Sequence, residues 1–307
     1  MRRVTQNVLG DASVLRVVEV DVPVPGPTEI LVEVHAAGVN PVDWKVRAGG
    51  GVLGTPPFTV GWELSGVVAA TGAGVTRFAV GDEVFGMPRF PGEAAAYAEY
   101  VTGPARQFAL KPLNLSHEQA GGLALAGLTA WQVLVETAGV LEGQRVLIPA
   151  AAGGVGHLAV QIAKARGAYV IGTASAPKHD FVRSLGADEV HDHRQADVYG
   201  SVKDVDVAVA TVAGQIPQLA ATLGPEGALI ALNGADAEAA TGAGGVFLLA
   251  EPDRAGLEHL TALVLDGRLT VHVDRVFPLD QAARAHELGE QGHTTGKLVL
   301  VPQLDTA

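Results

Sequence analysis

The sequence predicts an α/β protein that combines a β-rich lobe with a doubly wound parallel sheet. About the first 110 residues hold short alternating stretches broken by many Gly and Pro turns, which is typical of an irregular β-rich lobe. After Pro112, hydrophobic strands alternate with helices, which is the rhythm of βαβ units on a parallel sheet. The chain of 307 residues is long enough for about two domains at ~150 residues each.

Composition narrows the class of protein further. Apolar residues make up 48% of the chain and charged residues 18%, so the chain can bury a core and is not disordered. The net charge is −12, and no basic run offers a broad surface to nucleic acid or to an anionic membrane. The absence of cysteine excludes disulfides, thiolate nucleophiles, iron–sulfur clusters and cysteine zinc sites.

The sequence predicts neither a targeting segment nor a membrane span. Met1–Asn7 runs straight into Gly10 and Asp11 without the apolar core of a signal peptide. No stretch reaches ~18 apolar residues free of charges or turn signals. We therefore expect a cytoplasmic protein.

In the β-rich lobe, alternation between turn residues predicts a series of strands. They are Leu15–Val20, Ile30–Ala36, Gly61–Ala70 and Asp82–Phe85. Near the end of the chain, Lys297–Val301 is again a strand. We expect it to return to this lobe and close it.

The second lobe is predicted to begin with a capped helix, because Ser116 is a candidate N-cap with Gln119 as its capping-box partner. The helices that follow are predicted at Leu128–Ala138, Gly156–Ala165, Lys178–Leu185 and Asp253–Asp266. The strands between them are predicted at Arg145–Pro149, Tyr169–Thr173, Asp206–Ala210 and Ala228–Leu232. This pattern places residues 116–267 in the parallel-sheet domain, and residues 1–115 with 268–307 in the β-rich domain.

A glycine-rich turn joins the first of these strands to a helix. Read against the dinucleotide-binding pattern G-x-G-x-x-G, its three positions are Ala151, Gly153 and Gly156, with Gly154 and Val155 between the last two. Gly153 would let the backbone approach a pyrophosphate, and Gly156 would let the helix pack closely on the strand. The helix N-terminus would then offer N–H groups and a positive dipole to the phosphates. Ala151 departs from the strict pattern, and a glycine-rich turn without a ligand is the alternative interpretation.

The end of the next strand favours a phosphorylated cofactor. Folds that prefer NAD carry an acidic residue there for the ribose 2′-OH. In this chain the corresponding segment, Gly172–His179, has no carboxylate before Asp180. Ser175 and Lys178 stand in that segment, and Arg194 is expected nearby. The missing acid and a nearby cation favour a 2′-phosphate and therefore NADPH. The alternative for both cations is a solvated helix end and loop.

Several further motifs follow one another in an order that is typical of one family. They are Ala36–Asp43, Gly61–Gly66, Val80–Val84, Gly127–Ala130, Ala151–Gly156, Leu185–Val190 and Thr295–Leu300. Together they resemble the zinc-independent quinone oxidoreductases of the medium-chain dehydrogenase/reductase superfamily over nearly the whole chain. The resemblance implies a GroES-like catalytic lobe and a Rossmann domain that binds NADPH.

The resemblance also implies a reaction without zinc. Zinc-dependent relatives, the alcohol dehydrogenases, place a ligand cysteine where Asn40 stands and a ligand histidine where Trp62 stands. An indole N–H only donates, so it cannot replace an imidazole ligand. Without zinc no Lewis acid polarises an alcohol. Quinones and α,β-unsaturated carbonyls accept hydride without a metal and are therefore the expected substrates.

Positions in the family assign candidate residues to the substrate side. Asn40 would donate to a substrate carbonyl or hold the nicotinamide ribose or amide, and Asp43 would anchor a loop or a water. Trp62 would form a wall of the cleft, and Thr129 would touch the nicotinamide. The plainer alternatives are turn chemistry for the first two, an ordinary core aromatic for the third and local packing at a helix start for the fourth.

Further candidates lie on the cofactor side. Asn233 follows the fourth predicted strand of the parallel sheet, where a cofactor ribose often lies, although it could cap a turn. By resemblance His193 falls near the adenosine 2′-phosphate, where relatives use a tyrosine, and Lys297 in the closing motif is a further cofactor candidate. His191 and His193 have a spacing that suggests metal ligation, but a loop without a third ligand favours solvated histidines. No metal site is predicted, and His35 is expected to be an ordinary strand residue.

The predicted reaction is hydride transfer from NADPH to an electrophilic carbon, with the protein aligning the reactants and excluding water. No side chain is an evident general acid, so the proton would come from water. Two alternatives stay open: a dedicated enoyl or alkenal reductase, for example of a polyketide-like pathway, and an NADPH-binding protein with little turnover. By analogy with the family, a homodimer formed through the nucleotide-binding sheet is expected.

Overall fold

The computed structural model describes residues 1–195 and 197–302, which fall into two compact units. The first unit comprises Met1–Leu128, Glu251–Leu265 and the segment from Val271 onward, and the second comprises Thr129–Ala250 and Asp266–Thr270. Across these described residues, we find no helix that combines the length and the apolar character a membrane crossing needs.

The strands, in chain order, are β1 (Arg2–Thr5), β2 (Arg16–Glu19), β3 (Glu29–Val39), β4 (Leu64–Thr71), β5 (Glu83–Gly86), β6 (Tyr100–Pro104), β7 (Phe108–Leu110), β8 (Arg145–Ile148), β9 (Tyr169–Ala174), β10 (Glu189–Asp192), β11 (Val205–Ala210), β12 (Leu223–Ala231), β13 (Val246–Phe247), β14 (Val273–Pro278) and β15 (Lys297–Val301). The α-helices are α1 (Pro41–Gly49), α2 (His117–Gly121), α3 (Ala124–Trp131), α4 (Gly156–Ala165), α5 (His179–Ser184), α6 (Ile216–Ala220), α7 (Ala237–Gly242), α8 (Arg254–Leu265) and α9 (Ala282–Glu290). A π-helical stretch, Gln132–Thr137, continues α3.

A seven-stranded sheet forms the centre of the first unit, in the order β14-β15-β3-β4-β5-β7, with β6 also paired to β3. Strand β15 pairs antiparallel with β3, with Leu298 opposite Val39 and Leu300 opposite Ala37. This pairing confirms the prediction that the strand near the end of the chain returns to the β-rich lobe. Strands β1 and β2 form a separate antiparallel pair.

The second unit contains a parallel six-stranded sheet in the order β10-β9-β8-β11-β12-β13. Counted from β8, this order is 3-2-1-4-5-6, which is that of doubly wound dinucleotide-binding sheets. The strand order reverses between β8 and β11, so ligands are expected outside the carboxyl ends of these strands. The predicted fold class is therefore confirmed.

Local sequence signals predicted some element bounds correctly. Helix α4 has the predicted bounds Gly156–Ala165. Ser116 caps α2 as predicted, and its hydroxyl accepts from the backbone N–H of Gln119 at 3.3 Å while the Gln119 amide accepts from the Ser116 N–H at 3.1 Å. Both signals act over a few residues and need no distant partner.

Helix α3 begins earlier than the predicted Leu128. It starts at Ala124, and the backbone N–H of Leu125 donates to a carboxylate oxygen of Glu63 at 2.7 Å. A carboxylate at a helix N-terminus satisfies an N–H group that the helix leaves open and is favoured by the dipole. Because this cap comes from 62 residues away, the local sequence gave no sign of it.

The predicted loop at His191 and Asp192 is also wrong, because these residues end strand β10. His191 stands opposite Thr173 and Asp192 opposite Ala174 of β9. The imidazole Nε2 of His191 lies 3.1 Å from the carboxylate of Glu189, two residues earlier on the same side of the strand. His35 lies on β3, as expected.

The compact units divide the chain differently from the predicted domain boundaries at three segments, residues 116–128, 251–265 and 268–270. The first two belong to the first unit, and residues 268–270 belong to the second. The first segment supplies the Leu125 N–H that Glu63 accepts. The second includes α8, where the carbonyl of Val264 accepts from the Asn114 amide at 3.0 Å.

Candidate functional site

The glycine loop lies between the end of β8 and the start of α4. The N–H of Gly153 donates to the carbonyl of Ala150 at 2.8 Å. Gly156 approaches the same carbonyl so closely that a Cβ on it would lie 2.2 Å from the oxygen, so only glycine fits there. Ala150 itself has a φ of 46°, in the left-handed region. Gly154 and Val155 complete the loop and are half-buried, as is Gly153.

The N-terminus of α4 suits an anion. Its N-cap residue, Val155, has an aliphatic side chain, so no side-chain oxygen of that residue takes up the N–H groups. Helix geometry leaves the first N–H groups of a helix without intrahelical acceptors, although that of His157 here donates to the Gly153 carbonyl. The helix dipole adds a partial positive charge. Together with the close approach at Gly156, this geometry fits the pyrophosphate of a dinucleotide.

His157 holds this loop from inside, a role that the sequence analysis missed. The residue is fully buried, and its Nδ1 lies 2.9 Å from the carbonyl oxygen of Gly153. The same oxygen accepts from the backbone N–H of His157 at 3.0 Å. Because a carbonyl oxygen only accepts, Nδ1 must carry a proton in this contact. A single histidine after a loop glycine has no pattern that predicts such a role.

The carboxyl ends of β11 and β12 bring further polar groups beside the loop. Asn233, which follows β12, donates through Nδ2 to the carbonyl of Thr211 at 3.3 Å. The hydroxyl of Thr211 donates to the carbonyl of Pro149, at the start of the loop, at 2.6 Å. The predicted Asn233 therefore lies at the edge of the sheet where the cofactor is expected. Sequence reasoning missed Thr211, which only its place directly after β11 could have suggested.

The predicted 2′-phosphate residues lie at the carboxyl ends of β9 and β10. Ser175 and Lys178 form the turn after β9, with the Lys178 N–H donating to the Ser175 carbonyl at 2.8 Å. The N–H of His193 donates to the carbonyl of Ala174 at 3.3 Å, so the segment after β10 reaches the same turn. The structure therefore brings together candidates that the sequence separates by about 20 residues.

Arg194 also lies in the segment after β10, and its guanidinium forms an ion pair with a carboxylate. Its Nε and Nη2 donate to the two carboxylate oxygens of Asp192 at 3.0 and 2.8 Å. These hydrogen bonds hold the pKa of Asp192 well below its ordinary value. Arg194 thus neutralises the acidic residue that ends β10, next to the turn that was predicted to lack one.

In the first unit, the side chain of Asn40 is fixed between a buried carboxylate and a buried ammonium. Its Nδ2 donates to Oε1 of Glu63 at 2.7 Å, and its Oδ1 accepts from Nζ of Lys297. The carboxylate can only accept and the ammonium can only donate, so the orientation of the amide is determined. Asn40 is 5% exposed, and Glu63 and Lys297 are fully or almost fully buried.

Lys297 lies in this cluster, which differs from its predicted cofactor contact. Its ammonium donates to the carbonyl of Val39 at 3.3 Å, to Glu63 at 2.8 Å and to Asn40. An ammonium has three N–H bonds, and each of these has a protein oxygen as its partner. The second carboxylate oxygen of Glu63 accepts from Leu125, so the buried pair is fully hydrogen-bonded.

Asp43 is fully buried in the first turn of α1. Its carboxylate accepts from the N–H of Asn40 at 2.6 Å and from the N–H of Gly61 at 3.1 Å. The hydroxyl of Tyr97 also interacts with this carboxylate and lowers its pKa. Burial raises the pKa of Asp43 to about 7, because desolvation outweighs the hydrogen bonds that favour the ionised form.

Trp62 has plainer surroundings than predicted. Trp62 is fully buried, its Nε1 donates to the carbonyl of Gly92 at 2.7 Å, and its ring meets Phe90 edge-to-face at 5.7 Å. This placement matches an ordinary core aromatic rather than the wall of an open cleft. Thr129 lies within α3, five residues after its start at Ala124, and is half-buried.

These residues do not fit a catalytic zinc. Zinc-dependent relatives carry ligands at the positions of Asn40 and Trp62, but here the Asn40 oxygen accepts from an ammonium and the indole nitrogen donates to a carbonyl. Among residues 1–195 and 197–302, no group of three or more His, Asp or Glu side chains could hold a metal ion.

Comparison with known proteins identifies the family. The chain matches the alcohol dehydrogenase GroES-like domain over residues 26–113 and the zinc-binding dehydrogenase family over residues 185–300. The chloroplast envelope quinone oxidoreductase homolog of Arabidopsis thaliana is 33% identical, over 95% of each chain. The structure of the quinone oxidoreductase from Coxiella burnetii is 34% identical and covers 99% of each chain with a TM-score of 0.93.

A second solved structure connects the fold to a cofactor. The Escherichia coli quinone oxidoreductase complexed with NADPH is 28% identical, with a TM-score of 0.88 over 98% of this chain and 100% of that one. The predicted GroES-like and Rossmann architecture is confirmed by these matches. The chain therefore belongs to the quinone oxidoreductase family of the medium-chain dehydrogenase/reductase superfamily, and it is an NAD(P)H-dependent oxidoreductase.

Proposed function

We propose that the protein is an NADPH-dependent reductase that transfers hydride to quinones or other conjugated carbonyls without a catalytic zinc. The observation that carries this proposal is the buried contact of the Lys297 ammonium with Asn40 and Glu63. A divalent cation at the Asn40 position would lie beside this ammonium, and like charges repel strongly where water is excluded. The reaction therefore needs an acceptor that takes hydride without a Lewis acid, which a conjugated carbonyl does.

The second unit supplies the groups that would hold NADPH. The loop backbone and the N-terminus of α4 suit the pyrophosphate, and the carboxyl ends of β11 and β12 suit the nicotinamide-side ribose. The turn after β9, together with the segment after β10, would take the 2′-phosphate. The residues proposed for these contacts are Ala151, Gly153, Gly154, Val155, Gly156, Ser175, Lys178, His193, Arg194, Thr211 and Asn233.

When bound, NADPH supplies a hydride, and the protein contributes orientation and exclusion of water. In the first unit, Asn40 carries a second N–H on Nδ2 beyond the one it gives to Glu63, and we propose that this N–H serves the substrate carbonyl. Asp43 accepts from the backbone N–H groups of Asn40 and Gly61 and would thereby hold these two segments in place for the substrate. The proton that completes the reduction comes from water, because Asp43 and Glu63 are both fully buried.

The proposal is tested by titrating the purified protein with NADPH and with NADH in EDTA, followed by NADPH oxidation with a panel of quinones and enones. Tight NADPH binding, weaker NADH binding and turnover that EDTA does not change are expected. Turnover on enones alone would instead indicate a dedicated enoyl or alkenal reductase. Binding without turnover on any conjugated carbonyl would indicate an NADPH-binding protein, and loss of activity in EDTA would contradict zinc independence.

We also propose that the protein forms a homodimer along the edge of the parallel sheet. Strand β13 is at that edge, and Val246 and Phe247 are 47% and 37% exposed, with Leu249 beyond them at 48%. Exposed apolar side chains on an unpaired sheet edge favour pairing with a second chain. Light scattering should give a molar mass twice that of one chain, and Phe247→Glu should reduce the measured mass to that of a single chain. The cytoplasmic location stays a prediction.

A further inference from the structure

Behind Asp43, a line of buried side chains that the proposed hydride transfer does not use leads to the surface. The Tyr97 hydroxyl lies 3.1 Å from Nε2 of His286, whose Nδ1 lies 3.2 Å from Nη1 of Arg47. Nη2 of Arg47 donates to the carboxylate of Glu290 at 2.6 Å. Tyr97 and His286 are fully buried and Arg47 is 2% exposed, whereas the Glu290 side chain is 36% exposed.

From Arg47 inward to Asp43, the hydrogen bonds in this line all have one direction, whereas Arg47 donates outward to Glu290. A guanidinium can only donate, so Nδ1 of His286 must accept from Arg47. Burial and the charge of Arg47 lower the pKa of His286 to about 3, so the ring is neutral and its single proton lies on Nε2. Nε2 therefore donates to the Tyr97 oxygen. This leaves the hydroxyl proton of Tyr97 to donate to the Asp43 carboxylate, with which the hydroxyl interacts.

This line orients groups but does not conduct protons. Arg47 remains charged at any pH that the protein tolerates, so it cannot pass a proton from the solvent side to His286. The line of hydrogen bonds instead ends at the Tyr97 hydroxyl beside Asp43, while two backbone N–H groups donate to the same carboxylate. Its effect is to fix where that carboxylate lies and which form of it is favoured.

Asp43 in turn fixes two backbone positions on the substrate side. It accepts from the N–H of Asn40, where α1 begins, and from the N–H of Gly61, directly before Trp62. The ring of Tyr97 also packs against Gly61. Gly61 has a φ of 98°, and a Cβ there would lie 2.4 Å from Cδ1 of the Tyr97 ring. One aromatic side chain thus contacts both the carboxylate and one of the segments that the carboxylate holds.

We propose that Tyr97 and His286 are positioning residues for the reduction: they orient Asp43, which places the backbone of Asn40 and Gly61 for the substrate. Arg47 contributes by selecting the tautomer of His286. The inference rests on the proposed function for its effect on turnover. The orientation of Asp43 itself can be measured without turnover.

The other charges that face Asp43 are those of Lys297, which lowers its pKa, and Glu63, which raises it. Tyr97→Phe leaves both charges and the ring against Gly61 in place and removes only the hydroxyl. The ionised carboxylate then loses a donor, so Asp43 should titrate about one pH unit higher, which is a tenfold change in proton affinity.

The experiment compares Tyr97→Phe, His286→Leu and His286→Gln with the wild type. Carbon-13 NMR follows the titration of the Asp43 carboxyl, and steady-state kinetics follow kcat and KM for a quinone against pH. Tyr97→Phe and His286→Leu should move the Asp43 titration and the acid side of the activity profile upward together. His286→Gln keeps an acceptor for Arg47 and a donor for Tyr97, so it should restore most of the wild-type behaviour. The affinity for NADPH should stay unchanged in all three.

An unmoved Asp43 titration in folded Tyr97→Phe would overturn the proposal, as would equal behaviour of the two His286 variants. If the variants do not fold, nitrogen-15 NMR of the wild type decides the direction of the line. A proton on Nε2 of His286 is expected, and a proton on Nδ1 would refute it. A moved Asp43 titration with no quinone turnover would leave the positioning intact and contradict only the proposed function.

Discussion

Replacing Lys297 with Met should cost about 3–5 kcal/mol of unfolding free energy, because it leaves a buried carboxylate without its counter-ion. Glu63 is fully buried and Lys297 is 2% exposed, with Nζ and Oε1 2.8 Å apart. Methionine has nearly the length of the lysine side chain, so the change removes the charge with little change in volume. Glu63 keeps its donors from Asn40 and Leu125, both at 2.7 Å, which places the expected loss nearer 3 kcal/mol.

A matched variant separates burial from pairing. Lys164 and Asp188 form an ion pair in the second unit at the same 2.8 Å, but their side chains are 32% and 29% exposed. Lys164→Met should therefore cost no more than about 1 kcal/mol, because solvent screens such a pair. A second control, Lys297→Met with Glu63→Gln, removes both charges and should recover part of the loss.

The assay is urea unfolding followed by tryptophan fluorescence, since Trp44 and Trp62 both lie in the first unit. Equal losses for Lys297→Met and Lys164→Met would refute the reasoning, since burial would then contribute nothing.

Further predictions concern both units. Gly153→Asp should abolish NADPH binding in a folded protein, because a carboxylate would meet the pyrophosphate; unchanged affinity in a titration would contradict the loop assignment. Lys178→Ala should weaken NADPH more than NADH by about tenfold, and equal losses would remove Lys178 from the 2′-phosphate site. Gly61→Ala should lose about 1–3 kcal/mol more stability than Gly81→Ala, since φ is 98° and 97° at the two positions but only Gly61 meets Tyr97. Equal thermal or urea midpoints for these two alanine variants would show that the Tyr97 contact is unimportant.

The sequence was informative wherever a short segment determines its own structure. Strand β8, the glycine loop and helix α4 all lie within about 20 residues, and the predicted bounds of α4 were correct. The cap at Ser116 is similarly local. Because both features depend on neighbours a few residues away, residue types and spacing are enough to predict them.

The substrate-side unit was harder to predict because its contacts connect distant residues. Glu63 lies within a recognised motif, yet its partners Asn40, Leu125 and Lys297 come from three separate segments. His286 meets Arg47 across 239 residues, and no periodicity or spacing connects them. Family resemblance located Asn40 and Asp43 but could not show that the first is held by an ion pair and the second by a tyrosine.

The place of β15 also has a consequence for the order in which the chain folds during synthesis. The strand lies between β14 and β3, inside the sheet of the first unit, but it follows the whole second unit in the chain. As a ribosome releases the chain from its N-terminus, the parallel sheet can assemble while the first sheet still lacks this inner strand. The counter-ion of Glu63 is Lys297, the first residue of β15. The charge of Glu63 therefore cannot be buried together with its counter-ion until translation has passed residue 297. The nucleotide-binding unit is thus free to fold first, and the unit that begins the chain is completed last.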